Sequence, residues 1–303
     1  MTYAEYGEPR TLTPTELPTP KVGPGNVLIK VERASVNPVD WKLMAGGLDG
    51  LLDVSFPVVP GWDVSGVVEA VGPDTPEFSP GDRVASYARK DVVSGGTYAE
   101  FVSVPATSVA RIPDGVEYDV AAGLPLVGLT ALRSLETLEL TEEDTLLIHA
   151  ASGGVGFAAA QLAVGIGATV IGTASERNHE RLRGIGVQPV AYGDGLEDRV
   201  RALAPDGVTA VADFVGGVRE TTLAVLAPGG RHISIADPSV EEAGGRWVWV
   251  RPDGARLQEL LQKVASGALR VVVDRVFPLE EAAAAMEANI AGSDGKVVID
   301  ATR

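Results

Sequence analysis

Three glycines lie close together in the stretch "HAASGGVG", between a run typical of a strand and a run typical of a helix. A phosphate-binding turn needs glycine where the chain curls tightly, where it approaches the pyrophosphate, and where the helix packs on the strand. Ala150, Gly153 and Gly156 supply this spacing as A-x-x-G-x-x-G. A helix that starts near Gly154 would direct free N–H groups at the turn. The stretch therefore predicts a dinucleotide-binding turn. The alternative is a glycine-rich turn that only fits a helix to a sheet.

The residues after the next strand, "ATVIGTAS", bear on the choice between NADH and NADPH. An NAD enzyme places Asp or Glu there to accept from the ribose 2'-hydroxyl, whereas NADP requires donors and positive charge for the 2'-phosphate. Ser175, Arg177 and His179 favour NADPH, while Glu176 leaves NADH open. Alternatively, Arg177 and His179 belong only to a solvated helix face.

The composition restricts the setting and the partners. Hydrophobic residues make up 45% of the 303 positions, yet no apolar run reaches the roughly 18 to 20 residues that a membrane helix needs. The first residues show no basic leader with an apolar segment, and the chain has no cysteine, so we expect a soluble cytoplasmic protein without disulfides. A net charge of -16 disfavours nucleic acid and anionic membranes as partners.

The hydrophobic pattern changes along the chain. Short alternating segments from 27 to about 112 predict strands of an antiparallel, barrel-like domain. From 145 onward strands alternate with helices, which predicts a parallel sheet with right-handed crossovers. A helical run at 118–138 links the two halves. Leu257, Leu260, Leu261 and Val264 predict an amphipathic helix, and "GKVVIDA" predicts a last strand.

Ordered motifs run through the whole chain: "SVNPVDWKLMAGG", "PGWDVSGVVEAVG", "GDRV", "PLVGLTAL", "HAASGGVGFAAAQLA", "GTAS", "DFVGG" and "GKVVID". With these motifs the chain resembles the zinc-independent, zeta-crystallin-like quinone oxidoreductases of the medium-chain dehydrogenase/reductase superfamily. The resemblance implies an α/β fold with two domains. A GroES-like β-rich catalytic domain would span 1–116, completed by about 266–303. A Rossmann domain with a doubly wound parallel sheet would span 117–265.

Zinc alcohol dehydrogenases of this superfamily bind the catalytic metal through Cys, His and Cys at positions that fall here on Asn37, Trp62 and Leu126. None of these side chains is a thiolate, an imidazole or a carboxylate. The region from 85 to 100 is also too short for a cysteine-rich zinc lobe. We therefore expect no zinc, and no flavin. Since alcohol oxidation benefits from a Lewis acid, reduction of an already electrophilic quinone or α,β-unsaturated carbonyl is favoured.

The resemblance also implies the site residues. Asn37 and Thr130 would lie near the nicotinamide and the reacting carbonyl, with Asp40 and Trp41 lining the cleft between the domains. Asn37 would donate to a substrate oxygen. The remaining cofactor contacts would be Ser152, Gly153, Gly154 and Val155 at the pyrophosphate, Ser175, Arg177, His179 and Tyr192 at the adenosine phosphate, and Phe214, Val215, Gly216, Ile235 and Lys296 at the nicotinamide ribose. Alternatively, Asp40 only caps a helical turn, and Trp41 and Trp62 are core or pocket wall.

Three functions fit these features. The first is an NADPH-dependent quinone oxidoreductase that transfers hydride to a small-molecule quinone without metal. The second is an NADPH-dependent alkenal, enone or enoyl-thioester reductase, although the acidic composition disfavours a groove for coenzyme A phosphates. The third is a non-catalytic NADPH-binding sensor. Fold alone does not choose between them.

The stretch "GRWVWVR" alternates tryptophan and valine near the expected edge of the sheet. Exposed apolar edge strands invite association, so we expect a homodimer. The alternative is that this strand packs under a helix of its own chain.

Overall fold

The computed structural model describes residues 1–303. The strands are Asn26–Val36 (β1), Asp53–Val59 (β2), Asp63–Val71 (β3), Arg83–Tyr87 (β4), Val92–Gly95 (β5), Phe101–Pro105 (β6), Val109–Arg111 (β7), Thr145–His149 (β8), Thr169–Thr173 (β9), Gln188–Val190 (β10), Val208–Asp213 (β11), Leu226–Ser234 (β12), Arg246–Trp247 (β13), Val273–Pro278 (β14) and Lys296–Asp300 (β15). The α-helices are Pro38–Met44 (α1), Tyr118–Ala122 (α2), Pro125–Thr137 (α3), Gly154–Ile166 (α4), His179–Arg183 (α5), Leu196–Leu203 (α6), Arg219–Val225 (α7), Gly254–Ala265 (α8) and Ala282–Ala291 (α9).

The chain forms two compact units. Unit 1 comprises Met1–Leu129, Arg251–Gly267 and Val271–Arg303, and unit 2 comprises Thr130–Val250 with Ala268–Arg270. No helix of either unit has the length and apolar character needed to cross a membrane.

Unit 1 is built on a seven-stranded sheet in the order β14-β15-β1-β3-β4-β7, with β6 also paired to β1. All its pairs are antiparallel except β14 with β15. In strand β1, Val27, Ile29 and Val31 lie in one core cluster, and Lys30, between Ile29 and Val31, is exposed. Since successive side chains of a strand point to opposite faces, these three residues share the face that packs on this core.

Unit 2 contains a six-stranded sheet in the order β10-β9-β8-β11-β12-β13, and every pair in it is parallel. Leu147, Ile171 and Val211 are fully buried, as expected where helices cover both faces of parallel strands. The chain runs outward from β8 to β10 and then returns to place β11 beside β8. This reversal is a topological switch point, and ligands of such sheets bind outside the carboxyl ends of the strands there. The predicted doubly wound parallel sheet is confirmed.

Two local expectations need correction. The linking run is two helices rather than one, because Pro125 begins a new helix after the end of α2 at Ala122. The tryptophan-rich strand is limited to Arg246–Trp247 at the edge of the sheet.

Candidate functional site

The turn between β8 and α4 is anchored to the neighbouring strand β9. Ala150 donates its N–H to the hydroxyl of Thr173 (3.0 Å), and Ala151 donates to the main-chain oxygen of Thr173 (2.9 Å). Ala150 has a φ of 56°, in the left-handed region that L side chains seldom adopt. The turn is therefore held in a strained conformation by its bonds to β9.

Glycine is required at Gly156 because the turn closes over it. A Cβ at this position would overlap the main-chain oxygen of Ala150 and lie 2.8 Å from Cα of Ala151. Gly153 is the N-cap of α4 and supplies no side-chain cap, and both Gly153 and Gly154 are exposed. The first-turn N–H groups of a 13-residue helix are thus open to an anionic ligand. These residues fit a dinucleotide pyrophosphate.

Ser152 in the turn is connected to the segment that follows β9. The amide nitrogen of Asn178 lies 3.3 Å from the hydroxyl of Ser152 and 3.1 Å from that of Ser175. Arg181 donates to the main-chain oxygen of Ser152 at 2.9 Å. Two predicted cofactor residues, Ser152 and Ser175, are therefore brought together, and Asn178, which the sequence analysis missed, bridges them.

The remaining residues predicted at the adenosine end lie around this segment. Arg177, Glu176 and Tyr192 are exposed. The ring of His179 instead lies over the main chain, with Nε2 3.2 Å from the oxygen of Ala174. An exposed arginine and an exposed glutamate thus stand side by side at the end of β9, where the cofactor's ribose would be recognised.

A second loop cluster lies at the carboxyl ends of β11 and β12. Asp213 Oδ1 accepts from the N–H groups of Val215 and Gly216, both at 2.9 Å, and its Oδ2 accepts from the hydroxyl of Ser234 at 2.8 Å. Ser234 in turn accepts from main-chain N–H groups of the loop after Ile235. Asp213 therefore holds together the two loops, Phe214–Gly216 and Ile235, that are predicted beside the nicotinamide ribose. The sequence analysis missed Asp213, although its position at the end of a buried strand was a usable signal.

His149 and Thr130 are buried residues of unit 2. Burial lowers the pKa of His149, although the nearby Asp213 carboxylate opposes the shift. Its Nε2 lies 3.2 Å from the hydroxyl of Thr222. A neutral imidazole with a hydroxyl partner fits a structural role. Thr130 lies in α3.

In unit 1, Asn37, Asp40, Asp63 and Lys296 form what we call the buried cluster. Asn37 Nδ2 donates to Asp63 Oδ2 (2.8 Å), and Lys296 Nζ donates to Asn37 Oδ1 (2.6 Å). Lys296 Nζ lies 3.9 Å from Asp63 Oδ2. Asp40 accepts from the main-chain N–H of Asn37 at 2.8 Å, so it caps α1. The structure brings together three of the predicted residues with Asp63, which the sequence analysis did not select.

Burial dominates the electrostatics of this cluster. It raises the pKa of Asp40 to about 7, against the hydrogen bond from Asn37. It also raises the pKa of Asp63, against the attraction of Lys296. The pKa of Lys296 is lowered by burial, and the two carboxylates oppose that shift. Two carboxyl groups thus share one ammonium in a medium that disfavours charge.

The positions that bear zinc ligands in the zinc alcohol dehydrogenases have other contacts here. Trp62 packs edge-on against Tyr87, with ring centroids 5.9 Å apart, and the N–H of Leu126 donates to Asp63 Oδ1 at 2.8 Å. No group of three or more His, Cys, Asp or Glu side chains in the structure could hold a metal ion. Trp41 is half-buried, and its indole N–H donates to Asn289 at 3.0 Å.

Comparison with known proteins identifies the family. Residues 23–114 match the alcohol dehydrogenase GroES-like domain, and residues 185–299 match the zinc-binding dehydrogenase family. The quinone oxidoreductase of Coxiella burnetii has a similar structure (TM-score 0.88, 33% identity, 99% of this chain and 98% of that chain). The chain belongs to the quinone oxidoreductase family of the medium-chain dehydrogenase/reductase superfamily. The resemblance inferred from the sequence motifs is confirmed.

Two relatives from Arabidopsis thaliana show the range of this family. The chloroplast envelope quinone oxidoreductase homolog is 29% identical over 99% of this chain and 97% of its own length. The chloroplastic NADPH-dependent alkenal/one oxidoreductase is 32% identical over 98% of this chain and 78% of its own length. The chain is accordingly an oxidoreductase of small molecules, and its relatives suggest a nicotinamide cofactor.

Proposed function

We propose that this oxidoreductase is an NADPH-dependent, zinc-independent quinone reductase. The observation that carries the proposal is the turn at Gly156, which admits no side chain and leaves the first-turn N–H groups of α4 open at the switch point of the sheet. The quinone as acceptor is supported by relatives named quinone oxidoreductase along nearly the whole chain.

The residues of the chain would divide the task between binding and orientation. Gly153, Gly154 and the start of α4 would hold the pyrophosphate through main-chain N–H groups. The loops fixed by Asp213 would hold the nicotinamide ribose. When bound, the reduced nicotinamide supplies the hydride, and the protein supplies its orientation. The amide of Asn37, fixed by Asp63 and Lys296, has one N–H left to donate to an acceptor oxygen.

The preference for NADPH is proposed from Arg177, supported by Ser175 and His179. A guanidinium near the ribose would bind the 2'-phosphate, and Glu176 would disfavour it. Arg177→Ala should weaken NADPH binding about tenfold and leave NADH binding unchanged, since a hydrogen bond to a charged group contributes about 1.5–3 kcal/mol. Arg183→Ala, which removes the same charge from an exposed site on α5, is the matched control. Fluorescence titration with both cofactors measures the effect, and equal losses for NADPH and NADH would contradict this assignment.

A second function, reduction of an alkenal or enone, is favoured by the relative named alkenal/one oxidoreductase. It would use the same cofactor site with a different acceptor. The deciding experiment follows NADPH consumption with 1,4-benzoquinone, 9,10-phenanthrenequinone and a 2-alkenal in parallel, with NADH as the control. Faster turnover of the quinones supports the first proposal, and preference for the alkenal supports the second. Tight NADPH binding without any turnover would contradict both and favour a sensor.

A further inference from the structure

Asn178 connects the glycine-rich turn to the segment that follows β9. Its side-chain nitrogen donates to the hydroxyl oxygen of Ser175 at 3.1 Å and to that of Ser152 at 3.3 Å. Its main-chain N–H donates to the main-chain oxygen of Ser175 at 2.9 Å. All three residues belong to unit 2. One amide thus sets the position of two hydroxyl groups that come from different loops.

These two bonds determine what each hydroxyl has left to offer. A serine hydroxyl has two acceptor positions and one hydrogen to donate. Asn178 occupies an acceptor position on Ser152 and on Ser175, and neither hydroxyl donates its hydrogen to a group of the protein. A hydroxyl that accepts from an N–H directs its own hydrogen away from that donor. Both serines therefore present a hydrogen-bond donor.

The two donors are accessible to a bound nucleotide. Ser152 and Ser175 are half-buried, and their neighbours Gly153, Glu176 and Arg177 are exposed. Because both hydroxyl oxygens lie within 3.3 Å of one nitrogen, their hydrogens can reach a single acceptor group. The segment follows the carboxyl end of β9, where a sheet of this topology recognises the adenosine ribose.

The ligand group that fits two such donors is one that only accepts. A phosphate monoester carries three strong acceptor oxygens. A ribose 2'-hydroxyl also has a hydrogen that requires an acceptor, which NAD enzymes supply as Asp or Glu. His179 does not donate to a ligand from Nε2, because that nitrogen lies 3.2 Å from the main-chain oxygen of Ala174. The neutral donors of this segment are thus the two serines, and they favour a phosphate.

We propose that Asn178 is a positioning residue that sets the preference for NADPH over NADH, because it binds the oxygens of Ser152 and Ser175 and turns both hydroxyl hydrogens toward the 2'-phosphate. This inference rests on the proposed function. Arg177 supplies the positive charge, and Asn178 supplies the direction of the neutral donors. An amide turned the other way would accept both hydrogens and leave no donor, so the preference depends on which way Asn178 faces.

The substitution Asn178→Asp reverses this arrangement, since a carboxylate accepts the hydrogens of both serines. Loss of two hydrogen bonds to a charged group, each contributing about tenfold in affinity, should raise the Kd for NADPH about 100-fold and leave the Kd for NADH unchanged. Gln188→Glu makes the same change from amide to carboxylate at an exposed position of β10 and should change neither Kd. An Asn178→Asp protein with the wild-type ratio of the two Kd values would overturn the proposal.

A second comparison separates positioning from repulsion of the phosphate by the new carboxylate. In the Ser152→Ala/Ser175→Ala background both donors are already absent. Asn178→Asp should then raise the Kd for NADPH by less than about tenfold, against about 100-fold in the wild-type background. A rise of about tenfold or more in the double-alanine background would show that the carboxylate acts on the phosphate directly, and the positioning role would be wrong.

Fragments of the cofactor make the readout independent of turnover. Adenosine 2',5'-bisphosphate and adenosine 5'-monophosphate differ only in the 2'-phosphate, and calorimetric titration gives a Kd for each. The wild type should bind the bisphosphate about 100-fold more tightly, and Asn178→Asp should abolish most of this difference. A wild type that binds both fragments equally would overturn the inference. Absence of quinone turnover in a protein that prefers the bisphosphate would refute the proposed function alone.

Discussion

Replacement of Lys296 by methionine tests whether charge pairing stabilises the buried cluster. Methionine keeps much of the apolar stem but removes the ammonium from two buried carboxyl groups. The Nζ of Lys296 lies 3.9 Å from Asp63 Oδ2, which corresponds to about 4 kcal/mol of attraction at an effective dielectric constant near 20. Removing one partner of a buried pair costs about 3–5 kcal/mol. We therefore expect Lys296→Met to lower the free energy of unfolding by about 4 kcal/mol at pH 8.

The free energy of unfolding that Lys296→Met loses should be smaller in acid. Lys296 lowers the pKa values of Asp63 and Asp40, so its removal raises both further above the ordinary value of 3.8. Between that value and the raised folded-state pKa, the folded variant binds more protons than the unfolded chain, and stability then falls as the pH rises. The difference in free energy of unfolding between the variant and the wild type should thus be greatest at pH 8 and decrease toward pH 5.

Urea unfolding followed by tryptophan fluorescence at pH 5 and pH 8 measures this difference. Lys21→Met, at an exposed position, controls for the loss of one positive charge from an acidic chain. The double variant Lys296→Met/Asp63→Asn should recover at least half of the stability lost at pH 8, because it leaves no unpaired carboxylate at Asp63. An equal loss at both pH values, without recovery in the double variant, would refute charge pairing as the role of Lys296.

Three further predictions concern unit 2. Gly156→Ala should raise the Kd for NADPH at least tenfold in a fluorescence titration, because the added Cβ overlaps the turn. Gly165→Ala in the same helix is the control: its Cβ meets nothing within 4 Å, and it should stabilise the fold by about 0.5–1 kcal/mol. Equal Kd values for the two variants would contradict this account. Asp213→Ala should raise the Kd for NADPH about tenfold, since it frees the N–H groups of Val215 and Gly216. Asp213→Asn keeps one acceptor oxygen, so its Kd should lie between those of the wild type and Asp213→Ala. Trp249 packs on Trp247 at the edge of the unit 2 sheet. If this edge forms the homodimer expected from the sequence, light scattering should give twice 31.4 kDa for the wild type and 31.4 kDa for Trp249→Glu. A monomeric wild type would refute the dimer.

Regular burial explains which elements the sequence predicts well. In strand β1, Val27, Ile29 and Val31 are buried at alternate positions, and in β8 the apolar residues 146–148 are buried in succession, so both elements are visible in the residue types. Strand β14 has no buried residue, and its pattern carries no such signal. Strand β12 contains Pro228, Gly229 and Gly230, residues that ordinarily interrupt strands. It pairs with β11 through a register shift, an irregularity that local propensity does not show.

The glycine-rich turn between β8 and α4 was predictable because the geometry that it requires is local. Ala150, Gly153 and Gly156 lie within one short stretch, and the steric need for glycine follows from their spacing. The contacts of the buried cluster are not local in this sense. Lys296 and Asn37 are 259 positions apart, and only the pairing of β15 with β1 brings them within 2.6 Å. The sequence could name both residues as candidates, but it could not show that they bond each other.

Asp63 shows how a motif can direct attention to the wrong neighbour. In "PGWD" the comparison with zinc enzymes draws attention to Trp62, since that position bears a metal ligand there. In the structure the carboxylate beside it accepts from Asn37, Ser35 and the main chain of Leu126, and it lies 3.9 Å from Lys296. An aspartate inside a strand of apolar residues must be paired or neutral when buried. Lys296 is therefore the cation that such a buried carboxylate requires.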